Sequence, residues 1–373
     1  MIIEALLVAA LLQAPPLKAP EADAPSAAMR EIEASFARSD KAALIAAFDM
    51  EAFNKRIYAG LSPTENDRQS SVRTPDQLGT GIASLTKQGA SYRFLRIRSV
   101  GGQKRALFRL VMTNGAFNYH ELLLGERGGK VRVDDLYVAL SGEWISQSLR
   151  RAWQLGEAVG NPGLLARLTG ADAELVKSAA LVKEYGDHVA AGRKAEALVT
   201  YEKLPPTVRD SKNFLIGALT QAGDDAKAYS RLVERFQKLF PNDAALDILL
   251  IDYCFNRKEY ARLLQAIDSL DRSLGGDAYL RNLKAGIQTL TGDATGARQS
   301  LHEAIAMEPS LENPYWSLIE IQLGAKEWSP IVDTLVAIER DASVKLGDLK
   351  GIPLYADFIK TREYRDWIKK HPR

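Results

Sequence analysis

Residues 277–309, DAYLRNLKAGIQTLTGDATGARQSLHEAIAMEP, constrain this chain most. After Gly292-Asp293 come Ala297, Leu301, Ala304 and Pro309, at offsets of 5, 9, 12 and 17 from the glycine. Each has a physical task. Gly292 ends one helix in a left-handed conformation, and Asp293 caps the next. Ala297 and Ala304 are small where two helices cross closely, and Leu301 fills the seam between them. Pro309 cannot continue a helix, so it turns the chain. The helix before the turn has its own stripe, Leu280, Leu283, Ile287 and Leu290. Together these residues predict a helix–turn–helix hairpin.

The pattern recurs, with units starting near Ser178, Asp210, Ala244, Ala278 and Glu312. The first holds Gly192, Ala197, Tyr201, Leu204 and Pro205, and the second Gly223-Asp224-Asp225, Val233 and Pro241. The third holds Leu250, Ile251, Tyr260, Leu263, Ile267 and Leu270. The fifth holds Tyr315, Leu318, Ile319, Trp328, Ile331, Leu335 and Ile338. Over about 160 residues this spacing resembles the tetratricopeptide repeat, a helical hairpin of about 34 residues. The match is tighter in spacing than in residue type: Lys284 stands where the family prefers leucine, and Ile251 occupies a small-residue position.

The resemblance implies an all-α superhelical solenoid that binds a protein or peptide partner. It implies a groove lined by the first helix of each unit, here Phe214, Gln221, Asp252, Phe255, Asn256, Asn282, Trp316 and Glu320. The family's paired lysine and asparagine clamp for a peptide terminus is not evident. A non-repeating helical bundle is the alternative.

The 373 residues suit two or three domains. Formal net charge is +2, from 49 basic and 47 acidic residues, so no global field draws the chain to nucleic acid or to an anionic membrane. Cys254 is the one cysteine, which excludes an internal disulfide; in the apolar run IDYCF it reads as a buried thiol. Residues 5–12 are uninterrupted apolar residues followed by a proline-rich run, like the core and end of a secretory signal, although Glu4 precedes them and no basic residue does. Export to the periplasm is the expectation, and a cytoplasmic protein the alternative. No membrane span is expected beyond that signal or anchor.

The boundaries read as a signal-like segment and linker (1–24), an α+β domain (25–141), a helical bridge (142–177), the repeats (178–340) and a C-terminal cap (341–373). In the α+β domain Met29, Ile32 and Phe36 share one helical face, and Asp40 caps a second helix carrying Leu44 and Phe48. Thr74-Pro75-Asp76-Gln77 reads as a capping box opening a third, with Leu78, Ile82 and Leu85 on one face and Gly89 closing it. The period then changes to two over 92–99, 104–113, 117–125 and 130–139. Gly101-Gly102, Asn114-Gly115 and Gly128-Gly129 separate these strands as hairpin turns.

Helices packed on a four-stranded antiparallel sheet resemble the cone-shaped NTF2-like and cystatin-like folds; a plain α+β sandwich is the alternative. Residues 144–158 return to helix, and 353–370 read as one capping helix with Leu354, Phe358 and Trp367. The order of elements also resembles bacterial proteins that join such a domain to tetratricopeptide repeats, which implies an architecture and no activity.

Catalytic signatures are missing. His120, His188, His302 and His371 each stand alone, and no HExxH, CxxC, EF-hand or G-x-S-x-G motif occurs. Gly79-Thr80-Gly81 lies inside a helix and follows no strand, so it is no phosphate loop. No metal, cofactor or nucleic-acid partner is expected.

The best chemical candidate is the cone interior, with Tyr92, Tyr119, His120, Glu121, Asp135 and Tyr137. Alternation puts Tyr119 and Glu121 on one strand face and His120 on the other with Leu122 and Leu124. Two readings follow. One is a non-enzymatic interaction or scaffold protein working through the repeats. The other is an enzyme or small-molecule binder working through the cone, with the repeats as a docking arm. An apolar-filled cone favours the first; an open pocket where His120 meets an acid favours the second.

Overall fold

The computed structural model describes residues 23–158, 170–223, 225–241 and 243–370. The signal-like segment, most of the linker, the middle of the bridge, Asp224 and His371 lie outside the described residues. The described chain forms two compact units: one runs to Lys183 and includes Leu204–Val208, and the other holds Glu184–Lys203 and continues from Arg209.

The first unit opens with α1 (Ala24–Ala37), α2 (Ala42–Ala47), α3 (Met50–Ile57), α4 (Glu65–Ser71) and α5 (Arg73–Lys87). The Asp23 carboxylate caps α1 by accepting from Ser26 N at 3.0 Å. An antiparallel sheet follows: β1 (Ser91–Val100), β2 (Gln103–Val111), β3 (Phe117–Arg127), β4 (Lys130–Val138) and β5 (Glu143–Trp144), in that spatial order. Two of its turns use glycine pairs with positive φ, Gly101-Gly102 and Gly128-Gly129, which matches the twist of the flanking strands. Then come α6 (Ile145–Ala158) and α7 (Gly170–Lys177).

Met29, Ile32 and Phe36 of α1, with Leu44, Phe53, Ile57 and Ile82, pack on Tyr92, Phe94, Phe108, Leu110, Leu122 and Leu136 of the sheet. A bulge at Leu123/Leu124 pairs Leu123 with Asp135 and Leu124 with Val133, leaving Asp134 as the extra residue. Val133 and Leu136, three apart, therefore both reach the core.

Three expectations are corrected here. The sheet has five strands rather than four. Trp144 belongs to β5, not to the following helix; it pairs with Tyr137, with ring centroids 5.4 Å apart, and the Arg56 and Arg105 guanidinium groups lie 5.4 and 5.0 Å from its ring. The capping box sits at Thr64, not Thr74. Asp67 N donates to Thr64 Oγ1 at 3.2 Å, and Thr64 N to Asp67 Oδ2 at 2.7 Å. Thr74 is inside the first turn of α5 and buried, because Val72 is already helical and α4 runs almost directly into α5.

Helix α8 (Ala179–Ala190) is divided between the units after Lys183. It is followed by α9 (Lys194–Lys203), α10 (Pro206–Arg209), α11 (Lys212–Ala222), α12 (Ala226–Leu239), α13 (Ala244–Asn256) and α14 (Tyr260–Leu274). The run ends with α15 (Ala278–Leu290), α16 (Ala294–Met307), α17 (Asn313–Gly324), α18 (Trp328–Asp341) and α19 (Arg362–Lys370). From α11 to α18 each helix packs on the next in chain order.

The second helices of three successive hairpins begin at Tyr260, Ala294 and Trp328, 34 residues apart. Their turns repeat to the same period. Backbone bonds run from Glu259 N to Cys254 O, Asp293 N to Gln288 O and Glu327 N to Gln322 O, at 2.9, 2.8 and 2.9 Å. A buried polar pair repeats as well: Ser300 Oγ donates to Gln288 Oε1 at 2.7 Å and Thr334 Oγ1 to Gln322 Oε1 at 3.1 Å. Successive hairpins are tied by Lys284–Asp268 and Arg281–Asp271, both at 2.8 Å, and by a two-pronged Arg298–Glu327 pair.

The C-terminal cap is shorter than expected. Pro353–Tyr355 and Phe358–Lys360 are 3-10 turns, and α19 begins only after extended Thr361, whose hydroxyl accepts from Tyr364 N at 3.2 Å. Phe358, Tyr364 and Trp367 still close the core over Ile331, Leu335 and Ile338.

Candidate functional site

The structure splits the cone candidates between two faces of the sheet. Tyr92 and His120 lie in the core. His120 Nδ1 is 3.2 Å from the Tyr92 hydroxyl, and Nε2 is 3.5 Å from the Asn118 carboxamide nitrogen. Asn118 Oδ1 accepts from Tyr119 N at 2.8 Å and Leu140 N at 3.0 Å, which fixes the carboxamide. Tyr92 stacks on Phe108 with centroids 4.9 Å apart and meets the edge of Phe36 at 5.2 Å. Burial pushes the His120 imidazole down to about 4 and the Tyr92 phenol far up. His120 is therefore neutral at pH 7, and neither ring nitrogen is hydrogen-bonded to a carboxylate.

Tyr119, Glu121, Asp135 and Tyr137 lie on the opposite face. Glu121 pairs with Arg98 at 3.6 Å and Arg105 at 2.9 Å. Asp135 is fully buried: Arg56 Nε donates to it at 2.7 Å, Ser146 Oγ at 2.5 Å, Ser146 N at 3.2 Å and Leu136 N at 2.9 Å. Glu121 and Asp135 are structural acids that clamp strands and helices, and they do not converge on His120. Asp134, in the bulge, is 3.7 Å from Arg127.

The repeat candidates also divide. Phe214 is buried, with its ring 5.9 Å from Tyr185. Asn282 accepts from Ser317 Oγ at 3.2 Å and ties α15 to α17. Trp316 is half-buried beside the C-terminal core, Gln221 is half-buried, and Glu320 is exposed. Phe214 is thus buried, while Asn282 and Trp316 are half-buried and in contact with neighbouring helices.

Asp252, Phe255 and Asn256 differ, because all three are exposed on α13. Asp252 and Asn256, one turn apart, line a cavity of about 400 Å³ with Leu219, Thr220 and Gly223 of the α11 end. Its other walls are Tyr229, Leu249, Tyr253 and Arg257. The aromatic wall is built from stacked rings. Tyr229 and Tyr253 stack at 3.7 Å with 4° between their planes, and the Arg257 guanidinium lies 5.2 Å from the Tyr253 centroid. Arg257 Nε donates to Glu259 Oε1 at 3.2 Å. The Tyr229 hydroxyl donates to Leu249 O at 3.3 Å.

Asp252 is exposed by surface area, yet desolvation on its cavity side pushes its carboxyl up. Among the described residues neither it nor the Asn256 side chain has a hydrogen-bond or ion-pair partner. Phe255, 53 % exposed, stands beside them.

Sequence reasoning missed Tyr229 and Tyr253. Tyr229 is 34 residues before Leu263, which in turn precedes Ala297 by 34, so the aromatic falls on a repeat position of varied size that carried no signal.

A second cavity of about 400 Å³ lies between α18 and α19, with Val332, Val336 and Trp367 beside Asp333, Glu363 and Asp366. Among the described residues no cluster of His, Cys, Asp or Glu is arranged to hold a metal ion, and no helix is long and apolar enough to cross a membrane. Comparison with protein-family models gives no match, and comparison with curated proteins gives none.

Proposed function

We propose that this chain is a non-enzymatic protein-interaction or scaffold protein. In this reading its tetratricopeptide-like hairpins stack into a superhelical solenoid, and α13 presents a surface for a peptide segment of a partner. The observation that carries the reading is the placement of Asp252 and Asn256, one turn apart, at a cavity beside exposed Phe255, with neither side chain engaged by the described protein. An extended peptide supplies what they lack: amide hydrogens for the carboxylate, an amide and a carbonyl for the carboxamide, and an apolar side chain for the ring. The 34-residue recurrence of turns and buried polar pairs supports the repeat assignment.

The core around His120 supports a structural role for the NTF2-like unit. A base near pKa 4 without a carboxylate partner is poorly matched to proton transfer at pH 7.

Selection of random-sequence peptides on the full-length chain tests this reading. Enriched peptides are expected, and Phe255→Ala and Asn256→Ala should each weaken them about tenfold, near 1.4 kcal/mol. Both positions are exposed, so the fold survives the changes. Unaltered affinity in both variants removes α13 from the proposal. Export is part of the same reading, carried by the apolar run at residues 5–12. Fractionation of cells is expected to place the chain outside the cytoplasm; recovery in the cytoplasmic fraction contradicts export.

A further inference from the structure

The cavity beside α13 is more particular than a general peptide surface. Among the described residues that line it, the one carboxylate is Asp252, set beside Leu219, Leu249 and Tyr253. Asp252 is exposed at the mouth of this cavity and has no ion-pair partner among the described residues, while desolvation on the cavity side works against its ionised form. The surrounding cations do not supply a counter-charge. Arg257 is held by Glu259 at 3.2 Å and lies over Tyr253. Lys194 Nζ comes to the Gly223 side, 3.6 Å from where a side chain there would begin, and is itself engaged. Neither makes an ion pair with Asp252 among the described residues.

We propose that this cavity receives the lysine or arginine side chain of an extended partner segment, with the cation on Asp252 and its aliphatic stem along Leu219, Leu249 and the Tyr253 edge. The inference rests on the peptide-binding reading above and names the residue that the peptide must carry. Size agrees: about 400 Å³ is at the small end of ligand pockets, with room for one long side chain and some water. The wall chemistry agrees too, because long basic side chains lay their methylenes on apolar surface while the head stays polar. Asn256, a turn further on, is placed for the backbone amide next to that side chain. Arg257 on Tyr253 shows the same ring system already accommodating a guanidinium.

The experiment uses the full-length chain and a positional-scanning library of terminally blocked decapeptides, read by enrichment and then by Kd of the best sequence. A fixed preference for Lys or Arg at one position is expected. Asp252→Asn should lower the affinity of that peptide at least tenfold, and Asp252→Lys should turn the preference towards acidic residues. Among the described residues Asp252 makes no hydrogen bond or ion pair that either change would break, and circular dichroism checks the fold. Enrichment of peptides without a basic residue, or basic peptides indifferent to both variants, overturns the inference while leaving the peptide-binding reading intact. Failure of the wild-type chain to enrich any peptide overturns both.

Discussion

Asp135→Ala lowers the stability of the first unit by about 3–5 kcal/mol in equilibrium urea unfolding. Asp135 has no exposed surface and takes four donors, from Arg56, the Ser146 hydroxyl and the Ser146 and Leu136 amides. These come from α3, α6 and β4, so one carboxylate joins two helices to the sheet. Alanine leaves the Leu136 and Ser146 amides without this acceptor, each costing roughly 1–3 kcal/mol when buried. Arg56 loses less, because a third of its side chain is exposed and it also lies over Trp144. Asp135→Asn should therefore be milder: it keeps an acceptor for the amides and loses the charge facing Arg56. A change below about 1 kcal/mol in Asp135→Ala would mean that water replaces the carboxylate, and that the network does not hold these elements together.

The same network shows why part of this protein was legible in its sequence. The strands β1 to β4 were readable because alternation and paired glycines are local signals, and the observed turns use those glycines at positive φ. The short helix α3 was not, although Phe53 and Ile57 lie one turn apart and are both buried. Eight residues carry too little period to separate from a loop. Helix α4, ENDRQSS, has no apolar stripe, and only its Thr64–Asp67 box marks it. The clamping role of Asp135 was not legible, because a buried acid differs from a solvated one only through partners distant in sequence: Arg56 is 79 residues away.

In the second unit the repeat was legible at Gly292 and indistinct at its neighbours. The reason is now visible. The left-handed turn position is filled by Lys258, Gly292 and Lys326, at φ of 60°, 83° and 57°. Two lysines accept a conformation that glycine takes without strain, so the turn persists while its sequence mark disappears. The buried Gln288–Ser300 and Gln322–Thr334 pairs were likewise invisible to a search for apolar periodicity. Asp252 and Asn256 stand out in the sequence only by their offset within the repeat. Their cavity was not, because it depends on Tyr229 and Tyr253 stacking between helices that the sequence separates.

Leu301→Ala is expected to cost about 3 kcal/mol, and the pattern of that loss discriminates between a stack of hairpins and a single bundle. Ile267, Leu301 and Leu335 are 34 residues apart and almost wholly buried, one in each successive hairpin. Leu301 sits among Ala285, Ala297 and Leu318, and small neighbours collapse poorly into the space that a lost isobutyl group leaves. In a stack, each hairpin depends mainly on itself and the two beside it. Amide hydrogen exchange should then quicken roughly a hundredfold in α15 and α16, less in α14 and α17, and little in α11 and α12. Leu301→Met, which keeps most of the volume, should cost under about 1.5 kcal/mol and leave that pattern nearly unchanged. Equal acceleration from α11 to α18 would show one cooperative core instead of a row of coupled hairpins, and the repeat reading on which the α13 surface depends would lose its physical basis.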